Sequence, residues 1–130
     1  MISKSMASKS MTNKSASTSK EWDETSALKR INGNAALLEK LISIYKDSQA
    51  QLLTDIDDAR SEEDRIKLAN SAHALKGVAA NLSADGVAHT AREVELRARS
   101  AEWKDVDSQI LKLKESSENL LGIFAAYLGQ

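Results

Sequence analysis

Residues 61–84 read SEEDRIKLANSAHALKGVAANLSA. Within this stretch Leu68, Ala72, Leu75, Ala79 and Leu82 follow one another at steps of 4, 3, 4 and 3. That spacing puts all five on one stripe of an α-helix. Ser61 followed by Asp64 resembles a capping box, and Glu62 and Glu63 place negative charge at the favourable end of the helix dipole. A helix from Ser61 to about Asn81 follows, with NLSADG as its break. On its N-terminal side, Leu38, Leu41, Ile42, Tyr45, Leu52 and Ile56 predict a helix from about Ala35 to Arg60, with Asn34 as cap. Before that, a short helix from Asp23 to Asn32 turns Leu28 and Ile31 inward and ends at Gly33 in the left-handed conformation. On the C-terminal side, Val87, Ala91, Val94 and Ala98 mark a helix from about Ala84 to Arg99. Val106, Ile110, Leu113, Leu120, Phe124 and Tyr127 mark another from Trp103 to Leu128, with Ser117 breaking the seam. The expected fold is all-α: an antiparallel four-helix bundle with a short additional N-terminal helix.

Composition agrees. The chain has 130 residues, no proline, five glycines and 4% aromatic residues, so long helices with an aliphatic core are expected. No cysteine is present, which excludes disulfides, cysteine-ligated zinc or iron–sulfur sites and thiol nucleophiles. A net charge of −1 gives no drive toward nucleic acid or anionic membrane. The nine-residue apolar run from Leu120 to Leu128 is far short of the ~20 residues that span a bilayer. Residues 1–20 contain seven serines, four lysines and no acidic residue, and read as a disordered tail or linker ahead of the domain at 21–130. Taking those four lysines from the chain's 18 basic residues leaves 14 against 19 acidic ones, so the folded part is acidic.

Two histidines could carry chemistry. At ~100° per residue, His73 falls roughly 150° from the centre of the Leu68–Leu82 stripe and faces solvent. Beside it lie Ile66, Ala69, Asn70, Gly77 and Ala80, a face too small and apolar for ordinary solvent exposure. Gly77 costs about 1 kcal/mol of helix propensity relative to alanine, which points either to access for a partner or to close packing within the bundle. Lys76, three residues after His73, brings an ammonium within one turn of the imidazole. His89 reads as a surface histidine. Asn70 and Gly86 occupy the positions where di-metal bundles carry glutamate, so no metal site is expected. No Walker-type loop or dinucleotide fingerprint is present, so no bound cofactor is expected.

The run Ala72-His73-Ala74-Leu75-Lys76-Gly77-Val78-Ala79-Ala80-Asn81-Leu82-Ser83-Ala84 resembles the signature of histidine-containing phosphotransfer (HPt) domains, as found in hybrid sensor histidine kinases. ALKRINGNAALLEKL, LLEKLISIYKDSQAQLLTDI and AREVELRARSAEWKDV extend the likeness over about residues 25–128. The resemblance implies a phosphorelay intermediate. His73 would be the phosphoacceptor, Lys76 would stabilise charge and Gly77 would give the partner access, with docking over Ile66, Ala69, Asn70 and Ala80. The implied partners are receiver domains, which would supply an aspartate and its Mg²⁺. The chain itself would be a cytoplasmic monomer without autokinase activity, either free-standing or part of a sensor kinase. The family usually has glycine where this chain has Ser83, a residue that could instead cap the next helix. The competing readings are a helical adaptor with an incidental histidine and, less well supported, a cofactor bundle.

Overall fold

The computed structural model describes residues 21–100 and 102–129. The expected tail at residues 1–20 lies outside them. Five helices and no strand occur among the described residues: α1 (Glu24–Arg30), α2 (Ala35–Ser61), α3 (Arg65–Asn81), α4 (Asp85–Ser100) and α5 (Trp103–Leu128). Helix α3 packs against both α2 and α4, and α5 closes the bundle against α4 and α2. The antiparallel register of α2 and α5 is marked by the Arg60–Asp107 pair, by Lys114 Nζ at 2.9 Å from Asp57, and by Tyr45 edge-on to Phe124 at 5.8 Å.

The stripes read from sequence form the core. Leu38, Ile42, Tyr45, Ile56, Leu68, Ala72, Leu75, Ala79, Val87, Ala91, Val94, Ala98, Val106, Leu113, Leu120 and Phe124 are buried, with Leu28, Ile31, Leu41, Leu52 and Tyr127 packed against them. Burial of this apolar surface drives folding, at about 25 cal/mol per Å² removed from water. Ser117 is buried too.

The helix ends differ from expectation in a consistent way. Three turns close with the same pattern: the amide two residues past the helix cap bonds back five residues, Gly33 N–H to Leu28 O at 2.8 Å, Asp64 N–H to Ala59 O at 2.9 Å and Ala84 N–H to Ala79 O at 2.9 Å. In each, the preceding residue is left-handed: Asn32 (φ 56°), Glu63 (φ 54°) and Ser83 (φ 58°). This is the Schellman arrangement. Asn32, not Gly33, therefore takes the first left-handed position. Helix α2 runs on through Ser61, so Ser61 does not start α3. Asp64 caps α3 instead, accepting from Lys67 N–H at 3.0 Å. Nor does Ser83 cap α4. Its left-handed backbone belongs to the turn, its hydroxyl donates to Ser26 Oγ at 3.0 Å, and its carbonyl accepts from Asp23 N–H. The family's usual glycine suits that φ, because a Cβ is costly in the left-handed region.

Two of these turns give different expectations. Glu63 is exposed, so Glu63→Gly should raise stability by up to ~1 kcal/mol through relief of the left-handed backbone. Ser83→Gly gives the same relief but forfeits the hydrogen bond to Ser26, worth about 0.5–1.5 kcal/mol, and should land near zero. Urea melts of the two variants check the contrast.

Segment 21–23 fixes the α3–α4 corner. Trp22 is 1% exposed; its Nε1–H donates to Leu82 O at 2.8 Å, and its ring lies edge-on to Phe124 (4.9 Å) and Tyr127 (5.3 Å). Trp22 carries no helical period, which is why the stripes do not reveal it.

Candidate functional site

Helix α3 carries His73 on its outer side, with the side chain 61% exposed. The ring is nonetheless held. Its Nδ1 lies 3.1 Å from Glu95 Oε2 and 3.2 Å from Oε1, across the α3–α4 seam. A carboxylate only accepts, so Nδ1 carries the hydrogen and the neutral ring keeps its lone pair on Nε2. Glu95 is a buried residue that also accepts from Arg99 Nη2 at 3.1 Å and sits 3.9 Å from Lys76 Nζ. Burial pushes its carboxyl up. Hydrogen bonds from Arg99 and His73, with the charges of His73 when protonated and of Lys76, outweigh that and hold it below the usual carboxylate range.

Around His73, Ile66 is 73% exposed, and Asn70, Ala74, Gly77 and Ala80 are exposed as well. Ala69 is not: it is fully buried, which corrects its placement on the docking face. On the helical wheel it lies on the Lys76 side of His73, the side where α4 brings in Glu95, and an alanine there lets α4 approach. A Cβ built on Gly77 would meet nothing within 4 Å. Internal packing therefore does not require glycine at that position, and the packing account of Gly77 falls. On the other flank, α2 contributes Ile44, 54% exposed, to a small cleft also lined by Leu41, Ser48, Val78 and Asn81.

His89 is exposed on α4, in a separate cleft with Glu21, Asp85, Gly86, Thr90, Ser116 and Asn119. Among the described residues no group of histidine and acidic side chains could hold a metal ion, and no helix is long and apolar enough to cross a membrane.

Sequence reasoning missed Glu95 and Arg99. Glu95 follows the core residue Val94 and looks like the polar edge of the stripe. Only the register of α4 against α3 brings it to His73.

An exposed imidazole, fixed by a carboxylate at its Nδ1, stands on an antiparallel bundle. The family model described as Hpt domain matches residues 40–122, from within α2 to within α5. The chain belongs to the Hpt family. The matched stretch includes His73, Lys76, Gly77 and Glu95. An Hpt domain implies histidine phosphotransfer in phosphorelays, and such domains interact with receiver domains generally. No curated protein and no solved structure matches the chain.

Proposed function

We propose that this Hpt domain takes a phosphoryl group on His73 Nε2 from the aspartate of one receiver domain and passes it to another. The observation that carries the reading is the exposed His73 ring with Nδ1 held by Glu95, an arrangement that presents the Nε2 lone pair outward. In the forward step the Nε2–P bond forms as the P–O bond to the donor aspartate breaks, and that carboxylate leaves as an anion. The Nδ1 hydrogen stays on the ring, shared with Glu95. Onward transfer reverses these roles at the next aspartate. Such transfers need in-line positioning and charge stabilisation more than protein covalent chemistry. An imidazole in its neutral form is a competent nucleophile. Lys76 supplies positive charge to the phosphoryl oxygens, and Mg²⁺ acts in the receiver. The domain has no autokinase activity of its own and works as a cytoplasmic monomer. The receiver docks over Ile66, Asn70 and Ala80, with Ile44 on α2 extending the apolar area.

A receiver labelled on its aspartate, mixed with this chain, should transfer an acid-labile, alkali-stable label to it. If no receiver from the source cell transfers label, the adaptor reading replaces this one. Gly77→Gln should raise stability by a few tenths of a kcal/mol, since it improves helix propensity in open space. The same long side chain stands beside the imidazole, so transfer should fall to near background; a thermal melt and a transfer time course read the two effects. Lys76→Ala should slow transfer roughly tenfold or more while shifting stability within about ±0.5 kcal/mol. Rapid-quench rates equal to the parent's would remove Lys76 from the mechanism.

A further inference from the structure

We infer that Arg99 is a positioning residue that acts through Glu95, setting how tightly the Nδ1 hydrogen of His73 is held and thereby the lifetime of the phosphohistidine. This deepens the phosphotransfer reading and rests on it.

Glu95 Oε2 is shared: Arg99 Nη2 and His73 Nδ1 each lie 3.1 Å from it. The guanidinium reaches Glu95 from one turn along α4, and its side chain is 53% exposed, so it shields the carboxylate on the solvent side without burying it. Lys76 Nζ stands farther off, at 3.9 Å from Oε1. The charged groups gathered at His73 are Lys76 on its own helix and Glu95 and Arg99 on α4; Arg92, one turn before Glu95 on α4, is exposed on the same side of that helix. On the α2 flank, Asp55 accepts from Gln51 Nε2 at 2.9 Å and adds to the field at Lys67.

The consequence follows from which species is charged. Glu95 as an anion favours the doubly protonated ring, and Arg99 offsets that pull. In the free domain, the offset keeps more of the ring neutral and able to attack. In the phosphorylated domain, the same offset weakens the hold on the Nδ1 hydrogen. Loss to water forms a new O–P bond while the Nε2–P bond breaks and its electron pair returns to Nε2. A ring that keeps its Nδ1 hydrogen leaves as neutral imidazole, which is the easier departure. Arg99 therefore lengthens the life of the phosphoryl group and, in the free domain, enlarges the reactive fraction. Glu95 is buried and is also held by His73 and faced by Lys76, so the charge effect should outweigh reorientation when Arg99 is shortened.

The test compares Arg99→Gln and Arg99→Lys with the parent. In Arg99→Gln, the acid limb of the pH–rate profile for phosphoryl uptake should move to higher pH. Spontaneous loss of the label at fixed pH should be roughly threefold faster, the size expected for one charge about 6 Å away in near-aqueous surroundings. Arg99→Lys should keep parent behaviour in both, and all three melts should agree, which a merely structural role would not predict. Ring ¹⁵N shifts of His73 followed against pH need no phosphorylation. They should show the Arg99→Gln ring taking its second proton at higher pH. A chain that takes no label would defeat the phosphotransfer reading while leaving this titration to decide on Arg99. A shift to lower pH, or none, would overturn the inference, the former by showing that Arg99 orients Glu95 rather than balancing it.

Discussion

Replacing His73 with glutamine should reduce phosphoryl uptake from a labelled receiver to background, with the fold intact. The loss is complete because no other nitrogen shares the site's arrangement. His89, the remaining histidine, is exposed in a cleft that contains neither Glu95 nor Lys76. Label should not reappear there. The fold survives because the His73 side chain is 61% exposed and contributes little buried area. Its side-chain hydrogen bond to another helix is to Glu95, and a glutamine amide can donate to the same carboxylate. Arg99 and Lys76 also remain beside that carboxylate, so it is not left as an uncompensated buried charge. A phosphorimaged gel before and after acid treatment reads the uptake, and a circular dichroism melt reads the fold. Label on the variant, stable or labile, would move the acceptor away from His73.

The outward position of His73 was legible because it depends only on helix geometry: five apolar residues fix the stripe, and the histidine lies opposite. Most buried apolar residues of α2, α4 and α5 were legible for the same reason, whereas the buried Gln49, Ala59, Glu95 and Ser116 were not. What could not be read was anything set by one helix against another. Glu95 meets His73 only because α3 and α4 run antiparallel in one register, which single-helix periodicity does not determine. Ala69 failed for the related reason that a wheel gives a residue's direction but not the width of the neighbour that covers it. The turns were misplaced by one to three residues, at Asn32, Asp64 and Ser83. Left-handed backbone is imposed by the Schellman closure on Asn32, Glu63 and Ser83, of which only asparagine favours that region. Trp22 was invisible to periodicity because it precedes the first helix.

Trp22 is also where the largest stability effect is expected. Trp22→Ala should cost about 3–5 kcal/mol, the range for deleting a buried aromatic side chain. Small domains are stable by about 5–15 kcal/mol, so this is a large fraction of the total. The melting temperature should fall by roughly 15 °C or more. Three losses combine. The ring fills the end of the core against Phe124 and Tyr127, and its removal opens a cavity there. The Nε1–H bond to Leu82 O disappears, leaving that carbonyl short of a partner at the end of the helix that carries His73. The neighbouring Asp23 N–H bond to Ser83 O loses the anchor beside it. Trp22→Phe separates these terms: it keeps most of the apolar filling and forfeits the hydrogen bond, so it should cost about 1–3 kcal/mol. Amide exchange should rise at the α3–α4 corner in both variants, and more in the alanine one. Melts of Trp22→Ala within a few degrees of the parent would mean that the segment before α1 merely lies on the bundle, and that α2 to α5 hold the histidine helix without it.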